Sequence, residues 1–510
     1  MPVPMTFQKS PPSFQHSPPP LTPSPRELSF PNHPDQYTGE DGLYLLHSAI
    51  AIGASYDSIE RYPPPRAHPQ TRKVVFEIIL SWTKNALHGP RVLWVHGEAG
   101  SGKSAISQTV AEYCAQSGQL GATFFFSHGK GDLSDGRLLF PTIAYKLAGA
   151  IPGLRASLSR AIQVNPSILT HSLEVQVQKL IVEPFNMICH PPIPTLVVID
   201  GLDACESAEM QHRILTLIAQ LIVVHRLPLC FLITSRLQPH LQVTFDTPVY
   251  RKLSTRIPLD VFISDTDIRT FLRSEFATIR QYHQHAMVGI PDPWPSEDVI
   301  ELIVQKSGGQ FLYPATVLKY VDDNSGRPAE RLTEVVVAAV SASEVTLSPT
   351  DQLCHHVLST SPNPAALLRI LGPLVVLFAP LPQRELEMLI GVEPGEVSAT
   401  LRDMHSLVDV PDPRTSSPLQ RVRISQPSTR EFLVDIHRSL PFWIEPGKYH
   451  AEINSWTTQN ISICYTNIYG ANGPATLRRR FLRPSCSTIC ASRDSCTLAC
   501  RPRYEPCLGG

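Results

Sequence analysis

No stretch of this 510-residue chain is apolar for long enough to cross a bilayer. The longest apolar runs, at 214–224 and 374–379, fall short of the ~20 residues that a spanning helix needs. The chain does not open on a basic segment followed by an apolar one, so no export signal is expected. An excess of either charge is missing too. Lys and Arg number 44 and Asp and Glu 45, so global charge argues neither for nor against nucleic acid. Cysteine is sparse over most of the chain, with single residues at 114, 189, 205, 230, 354 and 464, four of them within or beside apolar segments. Buried thiols in a reducing compartment fit that pattern, and a cytoplasmic protein without membrane contact is the expectation.

What the chain does have is one dense signal. The apolar run from Val92 to Val95 meets Gly97, Glu98, Ala99, Gly100, Ser101, Gly102, Lys103 and Ser104, and a helix-patterned segment follows at 105–117. This reads as G-x-x-x-x-G-K-S between a strand and a helix. Glycines let backbone N–H groups curl around phosphate oxygens, and the helix N-terminus adds positive potential. A lysine here reaches the β- and γ-phosphates and a serine ligates Mg2+. A ligand-free glycine turn is the bland alternative, but it does not explain why lysine and hydroxyl follow at this spacing.

From 92 to about 253 strand-like runs alternate with helical ones, with strands expected at 92–96, 122–127, 195–199 and 229–234 and a fifth near 249–253. The fold class predicted is α/β, a three-layer domain with a mainly parallel sheet, whose ligands gather at the carboxyl ends of the strands. The third run ends in Asp200, placed to hold Mg2+ directly or through water opposite Ser104. Asp203, three residues on, is placed to position water. The fourth run ends Thr234-Ser235-Arg236, a hydroxyl and a guanidinium at a strand's carboxyl end that can contact the γ-phosphate or read its presence, because Arg matches phosphate oxygens with paired hydrogen bonds. Against this stands an Arg236 that merely pairs with a surface acid.

The rest of the chain divides by composition. Residues 1–38 carry eleven prolines among Ser, Thr and His and read as a disordered head. A helical lead-in spans 39–88, with a small helix expected at 44–54, and precedes the nucleotide core at 89–262. A helical unit follows at 263–345, with helices expected at 265–279 and 298–320 and a break at 307–309. In 346–440, helical segments at 365–378, 384–390 and 396–405 precede short extended pieces at 407–409 and 420–424. Gly372-Pro373 is expected to kink or split the first of these. A helical segment is placed at 441–470. The tail 471–510 is Arg-rich and holds Cys486, Cys490, Cys496, Cys500 and Cys507 at spacings that match no compact zinc site. No WD, ankyrin or tetratricopeptide signature recurs after the 450–469 segment.

These stretches in order resemble the NACHT subgroup of signal-transduction ATPases with numerous domains (STAND), and more closely fungal proteins whose core is similar to the N-terminal domain of nephrocystin-3. The stretches are Ala54-Ser55-Tyr56-Asp57-Ser58 with Thr71-Arg72, the 97–104 loop, Phe124-Phe125-Phe126-Ser127, Leu139-Phe140-Pro141-Thr142-Ile143-Ala144, 198–203, 232–236 and Phe311-Leu312-Tyr313-Pro314-Ala315-Thr316. The resemblance covers roughly 43–465. It implies a winged-helix-like unit at 346–440 closing with the helix at 428–433, and ATP or ADP with Mg2+ as ligands. It further implies an ADP-bound resting state, self-association in the ATP state and an effector protein of unknown identity. Lys103, Ser104, Asp200 and Arg236 would then detect the third phosphate.

Two departures bear on mechanism. The family has an acidic pair where this chain has Asp203-Ala204, and alanine neither accepts a proton nor orients water, so weak or absent ATP hydrolysis is expected. Gln426 stands where the family usually has a histidine that ties down the resting state. Among competing functions, a GTPase would present an N-K-x-D-like element, and none follows the loop. An AAA-type motor needs sustained hydrolysis, against which Ala204 weighs, and a scaffold that kept the fold but lost switching is the opposed class. No basic stripe marks a recognition helix in 346–440, so nucleic acid is disfavoured as a partner.

Overall fold

The computed structural model describes residues 41–86, 88–128, 131–188, 195–262, 264–322, 327–341, 347–377, 380–411 and 421–456. The proline-rich head at 1–38, the end of the 441–470 segment and the cysteine-bearing tail at 471–510 lie outside them. Five strands, β1 (Val92–His96), β2 (Leu120–Phe125), β3 (Thr195–Asp200), β4 (Leu229–Ser235) and β5 (Ser254–Pro258), pair in parallel in the order β2-β3-β4-β1-β5. Every residue of β1, β3 and β4 is buried, as expected of a sheet covered on both faces.

The two faces separate with the period of two that a strand imposes. Trp94, Phe124, Val197, Ile199, Phe231 and Ile233 pack against the helices Leu139–Ala150 and Ala208–Val223. Leu93, Val95, Leu196, Val198, Cys230 and Leu232 pack against Lys73–Asn85 and Lys103–Gln116. The result is an α/β domain with a parallel β-sheet flanked by helical regions, broadly consistent with a P-loop NTPase-like architecture. Cys114, Cys205, Cys230 and Cys354 are buried as thiols, and burial pushes all four up, Cys114 to about 11 and the others to about 12. Among the described residues no helix is long and apolar enough to cross a membrane.

C-terminal to the sheet, the helices Asp265–Tyr282, Glu297–Ser307 and Leu312–Val321 share one continuous hydrophobic cluster with everything that follows, from Ile268 to Ile453. Within it a two-residue antiparallel ribbon, β6 (Val408–Asp409) with β7 (Arg423–Ile424), precedes the helix Pro427–Val434.

Several expected elements differ. The helix expected at 44–54 is Asp41–His47 followed by a short 3-10 turn, because Ala51 donates its N–H to the Thr142 hydroxyl (3.1 Å) and turns the chain toward the core. The segment expected as the fifth strand is the helix Pro248–Leu253, started by Pro248 and by the Thr247 hydroxyl accepting from the Tyr250 N–H, and β5 begins only at Ser254. Pro364–Val376 is one helix despite Pro373. Gly372 serves contact there, since a methyl group on it would lie 2.1 Å from the ring of Tyr449. The helix expected at 396–405 stops at Thr400.

Candidate functional site

β1 ends at His96, and the loop 97–102 carries the chain into the helix Lys103–Gln116 at the carboxyl edge of the sheet. Gly100 and Gly102 have φ of +80° and +93°, the left-handed region in which a side chain is strained. Gly97 is confined, with a methyl group there 3.0 Å from Ser101 Oγ and 3.2 Å from Leu259 Cβ. Glu98 points its side chain to solvent, Ala99 and Gly100 are half-buried and Ser101 is buried. Lys103 Nζ donates to the carbonyl oxygens of Gly97 and Glu98, both at 2.7 Å. Burial is the largest influence on that ammonium and pulls it below its ordinary value, with Arg236 adding to the effect and Asp203, Asp200 and Glu98 opposing it.

The strand exits deliver the acids. Ser104 Oγ donates to Asp200 Oδ2 (2.6 Å) and Thr234 Oγ1 donates to Asp200 Oδ1 (2.7 Å), so one buried carboxylate is shared by the loop helix and β4. Thr234 also accepts from the Gly201 N–H (3.0 Å), which fixes the turn after β3. Both hydroxyls at the end of β4 are therefore turned inward: Thr234 faces Asp200, and Ser235 accepts from the indole N–H of Trp94 (2.8 Å).

Asp203 is buried and lies across from the lysine. It accepts from the backbone N–H of Arg236 (3.0 Å), with the Arg236 guanidinium 3.4 Å and His128 3.7 Å from its other oxygen. Burial would raise this carboxyl, but His128, the Arg236 N–H, Lys103 and the Arg236 charge outweigh it and hold the group below its ordinary value. Ala204 is 6 % exposed and packs into the core beside Leu202 and Cys205. The second nitrogen of Arg236 donates to Glu431 (2.5 Å), a residue of the helix Pro427–Val434. Burial works against the cation, but Glu431, Asp203 and Glu98 outweigh it and hold Arg236 above its ordinary value. Gln426 caps that helix without a side-chain hydrogen bond. A cleft of about 260 Å3 is lined by Ala99 of the loop, by Leu312 and Tyr313, and by Ser428, Thr429 and Glu431.

Lys103, Ser104, Asp200, Asp203 and Arg236, together with the 97–102 backbone, thus form one cluster. Sequence reasoning did not single out Glu431, His128 or the part played by Arg72. Arg72 sits at φ +55°, donates its N–H to Asp267 (2.9 Å) and its guanidinium to the carbonyls of Ser101 (3.1 Å) and Phe262 (2.6 Å), tying the lead-in to the loop. Only the Thr71-Arg72 pair hinted at it. Glu431 and His128 carry no local signal, because their partners lie 195 and 75 residues away.

The residues fit a magnesium nucleotide on the chemistry of the donor set. Ser104 and Asp200 present a hydroxyl and a carboxylate to one point, the set a hard cation prefers. Lys103 holds its ammonium against the Gly97 carbonyl, over a loop whose Gly100 and Gly102 have positive φ.

The arrangement is broadly consistent with a P-loop NTPase-like domain. More particularly, residues 76–236 match the family described as nephrocystin 3, N-terminal, a match that covers about a third of the chain. No curated protein matches the chain. Among solved structures, the chain is similar to a signal transduction ATPase with numerous domains carrying a tetratricopeptide repeat sensor, from Pyrococcus horikoshii. That likeness has a TM-score of 0.43 at 12% identity over 82% of this chain. This chain spans only half (50%) of the Pyrococcus protein. It is also similar to the Aeropyrum pernix ORC1 protein in complex with DNA (TM-score 0.33, 16% identity, 72% of this chain and 92% of that one). A Drosophila ORC bound to DNA is similar as well (0.36, 13%, 74% and 97%). Both of those proteins are bound to DNA, and the expectation that nucleic acid is disfavoured as a partner of this chain, which rested only on the lack of a basic stripe, is withdrawn.

Proposed function

We propose that the chain is a STAND-type nucleotide switch that binds ATP or ADP with Mg2+ at the 97–104 loop and hydrolyses ATP slowly. In this reading Lys103 compensates phosphate charge, Ser104 and Asp200 hold the metal, Asp203 orients water and Arg236 reads the terminal phosphate. Bound Mg2+ would supply charge neutralisation at the phosphates. Slow hydrolysis follows from Asp203 itself: a carboxylate engaged by Arg236 and His128 and held below its ordinary value is a weak proton acceptor.

The observation that carries the switch is Arg236, bonded at once to Asp203 beside the loop and to Glu431 in the C-terminal helix. A third phosphate would compete with Glu431 for that guanidinium and free the 427–434 helix, a bistable contact biased by the nucleotide. In this reading the core spans 89–262, with a lead-in at 39–88, a helical unit at 263–345 and a winged-helix-like unit at 346–440, in a cytoplasmic protein.

Calorimetric titration with MgATP and MgADP tests the site. Lys103→Ala should lose most affinity for both while its melting profile stays cooperative, and equal affinity in variant and wild type would reject it. Limited proteolysis tests the switch: cleavage after residue 380 should quicken with MgATP relative to MgADP, and identical patterns would reject it.

A further inference from the structure

Arg61 ends the short 3-10 turn Ile59–Arg61, in a strap that crosses the loop helix before the entry helix begins. Tyr56 fixes the strap by donating its N–H to Thr123 (3.0 Å) and accepting from Gln108 Nε2 (3.0 Å), and Ala67 fixes its far end on Thr109 (3.1 Å). The Arg61 guanidinium lies 3.6 Å from the ring centre of Phe125 and donates to Gln108 Oε1 (3.2 Å).

Both supports locate it. Phe125 is the register partner of Asp200, and Gln108 stands one helical turn after Ser104. The guanidinium is therefore bracketed by the neighbours of the two residues that share the metal-side hydrogen bond. Its Nε is buried without a partner, and no carboxylate pairs with it among the described residues. Burial pulls Arg61 down to about 10, with Arg423 adding to the effect and Asp200 opposing it, so it stays a cation at neutral pH. Its backbone is held from outside as well, since Arg423 of β7 donates to the carbonyl oxygens of Glu60 and Tyr62 on either side. A half-buried cation with an unpaired Nε, no ion-paired carboxylate among the described residues and the charge of Asp200 acting on it, on a braced strap, is arranged to receive an anion.

We propose that Arg61 is a specificity-determining residue of the nucleotide site, its guanidinium serving the terminal phosphate of a magnesium-bound nucleoside triphosphate beside Ser104 and Asp200. The inference rests on the nucleotide-binding reading above. It assigns Arg61 to the β2 side of the site and Arg236 to the β4 side, with Asp200 between them.

The full chain, Arg61→Ala and Arg61→Lys are titrated calorimetrically with MgATP and MgADP. Loss of a charge-assisted hydrogen bond corresponds to about ten- to a hundredfold, so Arg61→Ala should weaken MgATP by that factor and MgADP by less than about threefold. Arg61→Lys should fall between, because a point charge replaces the planar fork. The ATP-to-ADP affinity ratio separates this from a structural role, which would lower both affinities together. An unchanged ratio in the variants, with wild type binding both nucleotides, overturns the assignment of Arg61 alone. A wild type that binds neither overturns the nucleotide reading and this inference with it. If Arg61→Ala does not fold, the ratio in Arg61→Lys decides.

Discussion

Phe311 donates its backbone N–H to the carbonyl oxygen of Gly100 (3.1 Å), so the helix Leu312–Val321 starts on the 97–102 loop. The next residue completes the contact: a methyl group on Gly100 would lie 2.4 Å from Leu312 Cβ. The loop's conformation and the position of the C-terminal helices are therefore one structural fact.

Gly100→Ala and Gly118→Ala measure that coupling. Both glycines have positive φ, +80° and +70°, but nothing lies within 4 Å of a methyl group at Gly118. Each substitution should cost about 1–2 kcal/mol for the left-handed conformation. Only Gly100→Ala should add an overpacking penalty of about 1–3 kcal/mol and weaken nucleotide binding. Equal shifts in urea midpoint for the two variants would show that the loop and Leu312 are not in contact.

Asp203 makes a prediction about pH. Its folded pKa is depressed, so its contribution to stability is present above the unfolded value, about 3.9, and is lost as pH falls through the lower folded value. The groups facing it are His128, Arg236 and Lys103. Wild type should exceed Asp203→Asn in stability while Asp203 is ionised, with the margin closing below about pH 4. Urea melts of both proteins at a series of pH values read the difference directly, and a margin independent of pH down to 2 would contradict the assignment.

Arg236 and Glu431 are each about one third exposed, at 32% and 35%, so their pair should be worth only about 0.2–1 kcal/mol in a double-mutant cycle. Its dependence on nucleotide is the informative part. The coupling between Arg236→Ala and Glu431→Gln should persist with MgADP and vanish with saturating MgATP. A coupling of the same size in both would leave the ion pair as a static contact.

The sheet was legible because parallel strands buried on both faces are continuous apolar runs, and the runs at 92–96, 195–199 and 229–234 carry no competing pattern. The fifth strand was misplaced because Val249 and Tyr250 favour strands in general, whereas the Thr247-Pro248 start imposes a helix locally. In the site, the 97–104 loop and Asp200 were legible from spacing and strand ends. Glu431, His128 and Arg61 were not, since each acquires its place only when remote segments fold onto the carboxyl edge of the sheet. The inward turn of Thr234 was equally invisible, because a hydroxyl at a strand end gives no sign of which neighbour it will bond.

The last prediction concerns Ala204. From sequence, a glutamate at this position restores a missing acid and speeds hydrolysis. The structure changes that expectation, because Ala204 is 6 % exposed and its methyl group belongs to the core with Leu202 and Cys205. The backbone gives little room to turn a longer side chain outward: Ala204 donates its N–H to the Gly201 carbonyl (2.8 Å) and the Leu202–Ala204 turn is closed by Cys205 bonding to Leu202 (3.1 Å). A carboxylate there would be overpacked and desolvated, at a cost of about 2 kcal/mol or more. Ala204→Glu should therefore lower the melting temperature by several degrees and leave single-turnover ATP hydrolysis unchanged, whereas Ala204→Ser, which adds one polar atom, should be milder. A folded Ala204→Glu protein of wild-type stability with faster single-turnover hydrolysis would show instead that the side chain at 204 reaches the phosphates, and that the absent acid alone sets the rate.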